Sequence, residues 1–194
     1  MSTSPRIAPL EPPYTPEIAA ELARWMPPDS PLPPLALFRT LATDHPLAHA
    51  MWSLGSFLLS RQLALPLRER EIVIDRVCAR CGCEYEWGVH MAAFAGAAGF
   101  DEDEIGATLV AGADTGVWSA REALLVRLVD ELHATARVSD PLWAQLAEYY
   151  DQRQLLELLV LGGWYHLISF VANGARVELE PWARRFTAQP ASAT

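Results

Sequence analysis

The chain has 194 residues, 51% of them apolar, which is enough for one domain with a substantial core and excludes disorder of the whole chain. Its net charge of −9 and pI near 5.0 exclude the basic footprint that nucleic-acid binding needs. No uninterrupted apolar run of about 18 residues stands out, and residues 1–6 lack the apolar core of a signal peptide, so a cytoplasmic protein with neither nucleic-acid nor membrane partners is expected.

Prolines organise residues 1–34: Pro5, Pro9, Pro12, Pro13 and Pro16, then Pro27, Pro28, Pro31, Pro33 and Pro34, interrupt any regular hydrogen-bonding run. The expectation is an extended arm with one short helix. Thr15 is placed to cap that helix, Pro16 to open it, and Ile18, Leu22 and Trp25 recur at i, i+4 and i+7, giving the arm a face to dock. From Leu35 the period is helical, and residues 35–186 read as one domain. A helix over 35–42 ends before Asp44-His45-Pro46, and the next runs on through Met51, Leu54, Leu58 and Leu59. After Leu65-Pro66-Leu67 a helix is predicted over 68–80. Gly82 marks a junction to another over 83–98, which stops at Gly99. The acids of 101–104 suit the start of a further helix. Ser119 and Glu122 make a capping-box pattern for 120–135, Asp140-Pro141 opens 142–150, and Asp151 opens a long apolar helix over 152–173. Residues 176–180 alternate but are too few for a sheet, and 187–194 read as a frayed tail. The fold class is all-α, a compact bundle of antiparallel helices behind a proline-rich arm.

The chemistry concentrates at one place. All three cysteines, Cys78, Cys81 and Cys83, fall within six positions, so they cannot staple a secreted scaffold; intracellular thiol chemistry or plain burial remains. Cys83, Glu86 and His90 are spaced i, i+3 and i+7 and share one helical stripe. At a helix amino terminus the Cys83 thiolate is favoured by the dipole, His90 can take or return a proton, and Glu71, on the preceding helix, can serve as acid or base beside them. Cys78-Ala79-Arg80-Cys81 is formally C-x-x-C but falls late in a helix rather than at a strand-to-helix junction. Cys83, Glu86 and His90 could also ligate a metal. Paired histidines of the zinc-protease kind are missing, however, and no further ligand cluster is evident, so no metal is expected. His45 and His49 read as structural or solvated. His166, in a very apolar helix, reads as a core histidine or a cavity-lining one, and Tyr85 as a packing residue able to hold a substrate group.

These residues resemble the superfamily of carboxymuconolactone decarboxylases and alkylhydroperoxidase D (AhpD-like) proteins. The resemblance runs from Leu37-Phe38-Arg39-Thr40-Leu41-Ala42 through Arg68-Glu69-Arg70-Glu71, Cys83-Glu84-Tyr85-Glu86-Trp87-Gly88-Val89-His90 and Ala97-Ala98-Gly99-Phe100 to Leu159-Val160-Leu161-Gly162-Gly163-Trp164-Tyr165-His166. The peroxidase branch carries a glutamate, a C-x-x-C pair twelve residues later, and a histidine four residues beyond it. Glu71, Cys83 and His90 match, and Glu86 stands where the second cysteine belongs. Peroxide reduction at Cys83 would then need Cys81, Cys78 or an external thiol to resolve a sulfenic acid. The decarboxylase branch carries a glutamate, an aromatic residue and then a histidine, which Glu86-Trp87-Gly88-Val89-His90 resembles.

The resemblance therefore implies a cofactor-free, decarboxylase-like lyase acting on a small organic acid or lactone. Glu71, Cys83, Glu86 and His90 are the catalytic candidates, and Tyr85, Arg39, Arg68 and His166 the substrate-binding ones, with Arg76 a further possible cation. The alternatives are a thiol-dependent peroxidase (an oxidoreductase with peroxiredoxin-type activity) centred on Cys83, or a catalytically degenerate binding protein. The resemblance also implies a homo-oligomer, whether dimer, trimer or hexamer.

Overall fold

The computed structural model describes residues 4–28, 30–110, 112–113 and 115–186. The tail expected to be frayed lies outside them. Among the described residues there are nine helices and no strand: α1 Pro16–Trp25, α2 Ala36–Leu41, α3 His45–Leu59, α4 Leu67–Arg80, α5 Glu84–Ala98, α6 Glu102–Leu109, α7 Ala120–Thr135, α8 Asp140–Ala147 and α9 Gln152–Ala175. The all-α expectation holds, and helix boundaries shift by no more than a few residues.

Local chemistry accounts for the boundaries. Thr15 Oγ1 accepts from the Ile18 amide at 3.3 Å and opens α1. Reciprocal capping boxes open α6 (Asp101 with Glu104), α7 (Ser119 with Glu122) and α9 (Asp151 with Gln154). Between α4 and α5 the Cys83 amide donates to Cys78 O at 2.8 Å and the Gly82 amide to Ala79 O at 3.0 Å, the paired bonds of a Schellman turn. Gly82 supplies the φ of +59° that this turn requires, so one helix can follow another at once.

Helix α4 is the hub. It packs against α5, α6, α7 and α9, and its residues from Glu69 to Cys78 are all buried. Burying so many polar residues works because each main cation is tied. Arg76, 1% exposed, makes a bidentate pair with Asp130 on α7 at 2.7 and 2.9 Å and donates to Thr108 O at 3.0 Å. Arg68 binds both capping-box glutamates, Glu104 and Glu122, and Gly99 O at 3.0 Å, so one side chain joins the end of α5 to the starts of α6 and α7.

Helix α9 is long and apolar enough to cross a membrane by length and composition, with a mean hydropathy of 1.7. It packs against α4, α5 and α8, with 56% of that apolar window buried, which is the behaviour of a core helix. The arm docks as its pattern predicts: α1 lies on α3, Arg6 N donates to Ala175 O at 2.8 Å, and Leu22 is 1% exposed. After α9 the chain returns across α5, where the Arg184 amide donates to Gly88 O at 3.1 Å.

This last contact is unusually close. A Cβ at position 88 would lie 2.2 Å from Arg184 O, a backbone atom that cannot swing aside. Gly88→Ala should therefore destabilise the protein by about 1–3 kcal/mol, the usual cost of overpacking, read as a lower midpoint in urea unfolding. An unchanged midpoint would show that the returning segment does not press on α5.

Candidate active site

The site grows from two facing helices. From α4, Glu71 is fully buried, and its Oε2 accepts from His90 Nδ1 on α5 at 2.8 Å. The other carboxylate oxygen is held by Arg70, with Nε at 2.8 Å and the second terminal nitrogen at 2.7 Å. Arg70 is itself anchored to Leu59 O at 3.1 Å and lies over the Phe94 ring. On the far side of the imidazole, Nε2 faces the Tyr165 hydroxyl of α9 at 3.1 Å and Glu86 Oε1 at 3.5 Å. One imidazole is thus bracketed by two carboxylates and a phenol.

The electrostatics follow from this order. Burial alone pushes the His90 imidazolium down, but Glu71 and then Glu86 outweigh it and raise its pKa to about 10. At neutral pH both ring nitrogens therefore carry protons, one committed to Glu71 and the other presented toward Tyr165 and Glu86. Asp75, one turn below Glu71, has its pKa pushed well up by burial and by the neighbouring Glu71. Burial, with Glu86 and Glu71 nearby, holds the Tyr165 phenol protonated as well.

This polar group closes one end of a cavity of about 540 Å³. Its walls are almost entirely apolar: Trp25 from α1, Leu37 and Phe38 from α2, Trp52 from α3, Phe94 from α5, and Trp164 from α9. Glu86, His90 and Tyr165 face it, and Arg24 lies at its lining with its guanidinium 4.0 Å above the Trp52 ring. Gly55 makes room for this wall, because a Cβ there would meet the Trp164 ring at 3.0 Å.

Glu71, Glu86 and His90 therefore come together. Cys83 does not join them. It precedes the first turn of α5 as its N-cap, is fully buried, and does not line the cavity. Burial is the largest influence on its thiol and, against the Glu86 backbone amide that favours the thiolate, raises the pKa to about 11. The thiolate-stabilising effect expected of the helix terminus is outweighed by desolvation.

The four residues expected to bind substrate also lie away from the cavity lining. The Tyr85 hydroxyl accepts from the Leu37 amide at 3.0 Å and donates to Glu180 at 2.8 Å, joining α5, α2 and the returning segment. Arg39 holds the arm through Leu10 O, Pro34 O and Glu11. Arg68 and Arg76 are the structural ties described above. His166 points to another side of α9, toward His133. Tyr165, Arg70 and the aromatic walls were not among the expected site residues. Tyr165 neighbours His166 in sequence, and neighbours on a helix point about 100° apart, so only the packing of α9 selects between them.

Residues 46–130 match the model of the carboxymuconolactone decarboxylase family. This segment is a carboxymuconolactone decarboxylase family domain. The matched segment holds Glu71, Cys83, Glu86 and His90, whereas Trp25, Phe38 and Tyr165 of the cavity lie outside it. No curated protein sequence matches the chain.

Among solved structures, an uncharacterized peroxidase-related protein from Silicibacter sp. TM1040 is similar, with a TM-score of 0.76 at 16% identity over 93% of this chain and 96% of that one. A putative antioxidant defence protein AhpD of Agrobacterium tumefaciens superposes with a TM-score of 0.64 at 20% identity over 72% and 94% of the two chains. The debrominase Bmp8, solved as a cysteine-to-alanine variant in complex with 2,3,4-tribromopyrrole, gives 0.74 at 14% identity over 94% and 95%. These likenesses establish an AhpD-like fold for the decarboxylase-family domain and the elements around it.

The buried thiols generate a direct expectation. At pH 8 one equivalent of a thiol reagent should label Cys81, which is part-exposed, while Cys78 and Cys83 should react only on unfolding. Peptide mapping by mass spectrometry reads the outcome; rapid labelling of Cys83 in the native protein would overturn the assignment of Cys83 as inert.

Proposed function

We propose that the chain is a cofactor-free enzyme of decarboxylase-like acid–base chemistry, acting on a compact organic acid or lactone with a largely apolar body. The observation that carries this reading is the placement of Glu86, His90 and Tyr165 at the end of an apolar cavity from which the cysteines are absent. Apolar walls suit a flat unsaturated ring, and the convergent polar groups suit the atoms that change charge. Arg24 brings a guanidinium to the cavity lining, where it is already paired with Glu21 and stacked on Trp52.

In such a reaction the bond to the carboxylate breaks, carbon dioxide leaves, and the electron pair moves onto the adjoining carbonyl as an enolate. The second N–H of the His90 imidazolium and the Tyr165 hydroxyl are the donors for that oxygen. Glu86, the carboxylate that faces the cavity, takes up a proton from solvent and passes it to the carbon, so it ends the cycle as it began. Glu71 and Arg70 touch no substrate; they are positioning residues that keep the imidazole charged and oriented.

Peroxide reduction is the second reading, favoured by the names of two fold neighbours. It is the weaker one, because Cys83 is buried away from the cavity and Glu86 stands where a partner cysteine would be.

A panel of unsaturated lactone acids and keto acids, followed by carbon dioxide release and by deuterium uptake at carbon, tests the two. Glu86→Gln and His90→Ala should each lower turnover by about 10²–10⁴-fold, the usual range for a positioned acid or base, while Cys83→Ala stays within a few-fold of wild type. Peroxide consumption that disappears in Cys83→Ala and persists in Glu86→Gln would reverse the assignment.

A further inference from the structure

A second group of reactive side chains converges outside the cavity. Cys81 closes α4 as its C-cap, His133 lies in the last turn of α7, and His166 lies in the middle of α9. Far apart in sequence, they bring Cys81 Sγ within 3.9 Å of His133 Nδ1, and His133 Nδ1 within 3.1 Å of His166 Nε2. One ligand atom from each lies within 4.8 Å of the others, and all three side chains are part-exposed.

We propose that Cys81, His133 and His166 form a zinc site, with one thiolate, two imidazoles and a fourth position open to water. The spacing fits the ion. Zn–S bonds of about 2.3 Å and Zn–N bonds of about 2.0–2.1 Å in a tetrahedron place two nitrogens about 3.3 Å apart and sulfur about 3.6 Å from nitrogen. The histidine–histidine edge of 3.1 Å and the cysteine–His133 edge of 3.9 Å lie close to those values. The outer shell fits too. His166 Nδ1 lies 2.8 Å from Gly162 O, so it carries the proton and leaves the Nε2 lone pair aimed at the shared point. Asn173 donates to Cys81 O at 2.9 Å and pins the turn that carries the sulfur. Arg76 and Arg80, the nearby cations, are both paired with Asp130. On binding, the thiol proton passes to solvent and the thiolate bonds the metal.

The other convergent group, Glu21 with His45 and His49, differs in one decisive respect. Arg24 already sits in it, 2.8 Å from His49 Nδ1 and 3.2 Å from Glu21, so the protein's own cation fills that place.

The position gives the zinc a role. It would tie the carboxyl ends of α4 and α7 to α9 at the residue following Tyr165. Fixing His166 fixes the rotation of α9 and hence the reach of Tyr165 to His90. The proposal does not depend on which reaction the cavity performs.

The experiment uses the untagged full-length chain, freed of metal, with Zn²⁺ titrated against a chromophoric chelator and Co²⁺ as a spectroscopic probe. One equivalent of Zn²⁺ should bind and raise the melting midpoint. Co²⁺ should show a thiolate-to-cobalt charge-transfer band. Cys81→Ser should abolish the band and the rise in midpoint, and His133→Gln and His166→Gln should each weaken Zn²⁺ binding at least tenfold. His49→Gln should change neither. A wild-type chain that binds no stoichiometric zinc, or binding that survives Cys81→Ser and disappears in His49→Gln, would overturn the site.

Discussion

The ion pair between Glu71 and His90, 2.8 Å long and almost wholly buried, is the contact on which the rest of the site depends. Removing two charges from water costs several kcal/mol each, and the mutual attraction offsets this only when the remaining polar atoms are satisfied. Here they are. Arg70 takes the second oxygen of Glu71, and Tyr165 and Glu86 face the second nitrogen of His90. The pair also joins the hub helix α4 to α5, so a functional group and a structural contact are the same object. Because the His90 pKa rises from 6.5 to about 10 on folding, the stability it contributes is complete below pH 6.5 and is lost as pH rises through about 10.

The division of labour across the chain follows from where each part comes. The decarboxylase-family segment supplies the charged relay, held rigid by α4 and α5. The proline-rich arm, α2 and α9 supply most of the apolar wall and the phenol that completes the relay. The Glu71–His90 pair thus lies wholly within the matched segment, while the cavity wall is shared between that segment (Trp52, Gly55 and Phe94) and the stretches on either side. A change in the arm would alter what fits without touching the Glu71–His90 pair.

Much of this was legible in the sequence where the cause is local. Caps at Thr15, Ser119 and Asp151, the turn at Gly82 and the stop at Gly99 are all short-range hydrogen-bonding problems, and each helix they bound is present. Spacing alone brings Glu71 back beside the first turn of α5, near Cys83; its pairing with His90, two turns on, comes from how α4 and α5 pack. What escaped was long-range. Arg68 looks like a free cation until Glu104 and Glu122 are seen folding back on it from two other helices. Cys83 has a helix-terminal position that favours a thiolate, yet its burial, which depends on the whole core, decides the opposite. Tyr165 and His166 are equally polar neighbours, and only the rotation of α9 determines which one faces the cavity. The Cys81, His133 and His166 cluster was invisible for the same reason, since its members come from three helices.

The most direct test of this account is the titration of the His90 ring followed by NMR in the wild-type chain and in Glu71→Gln. The account predicts an imidazolium that persists through neutral pH with a midpoint near 10 in the wild type, and a midpoint that falls well below this once Glu71 is neutralised. A wild-type midpoint near 6.5, or one that Glu71→Gln leaves unmoved, would contradict the claim that a buried carboxylate holds this histidine charged at the end of the cavity.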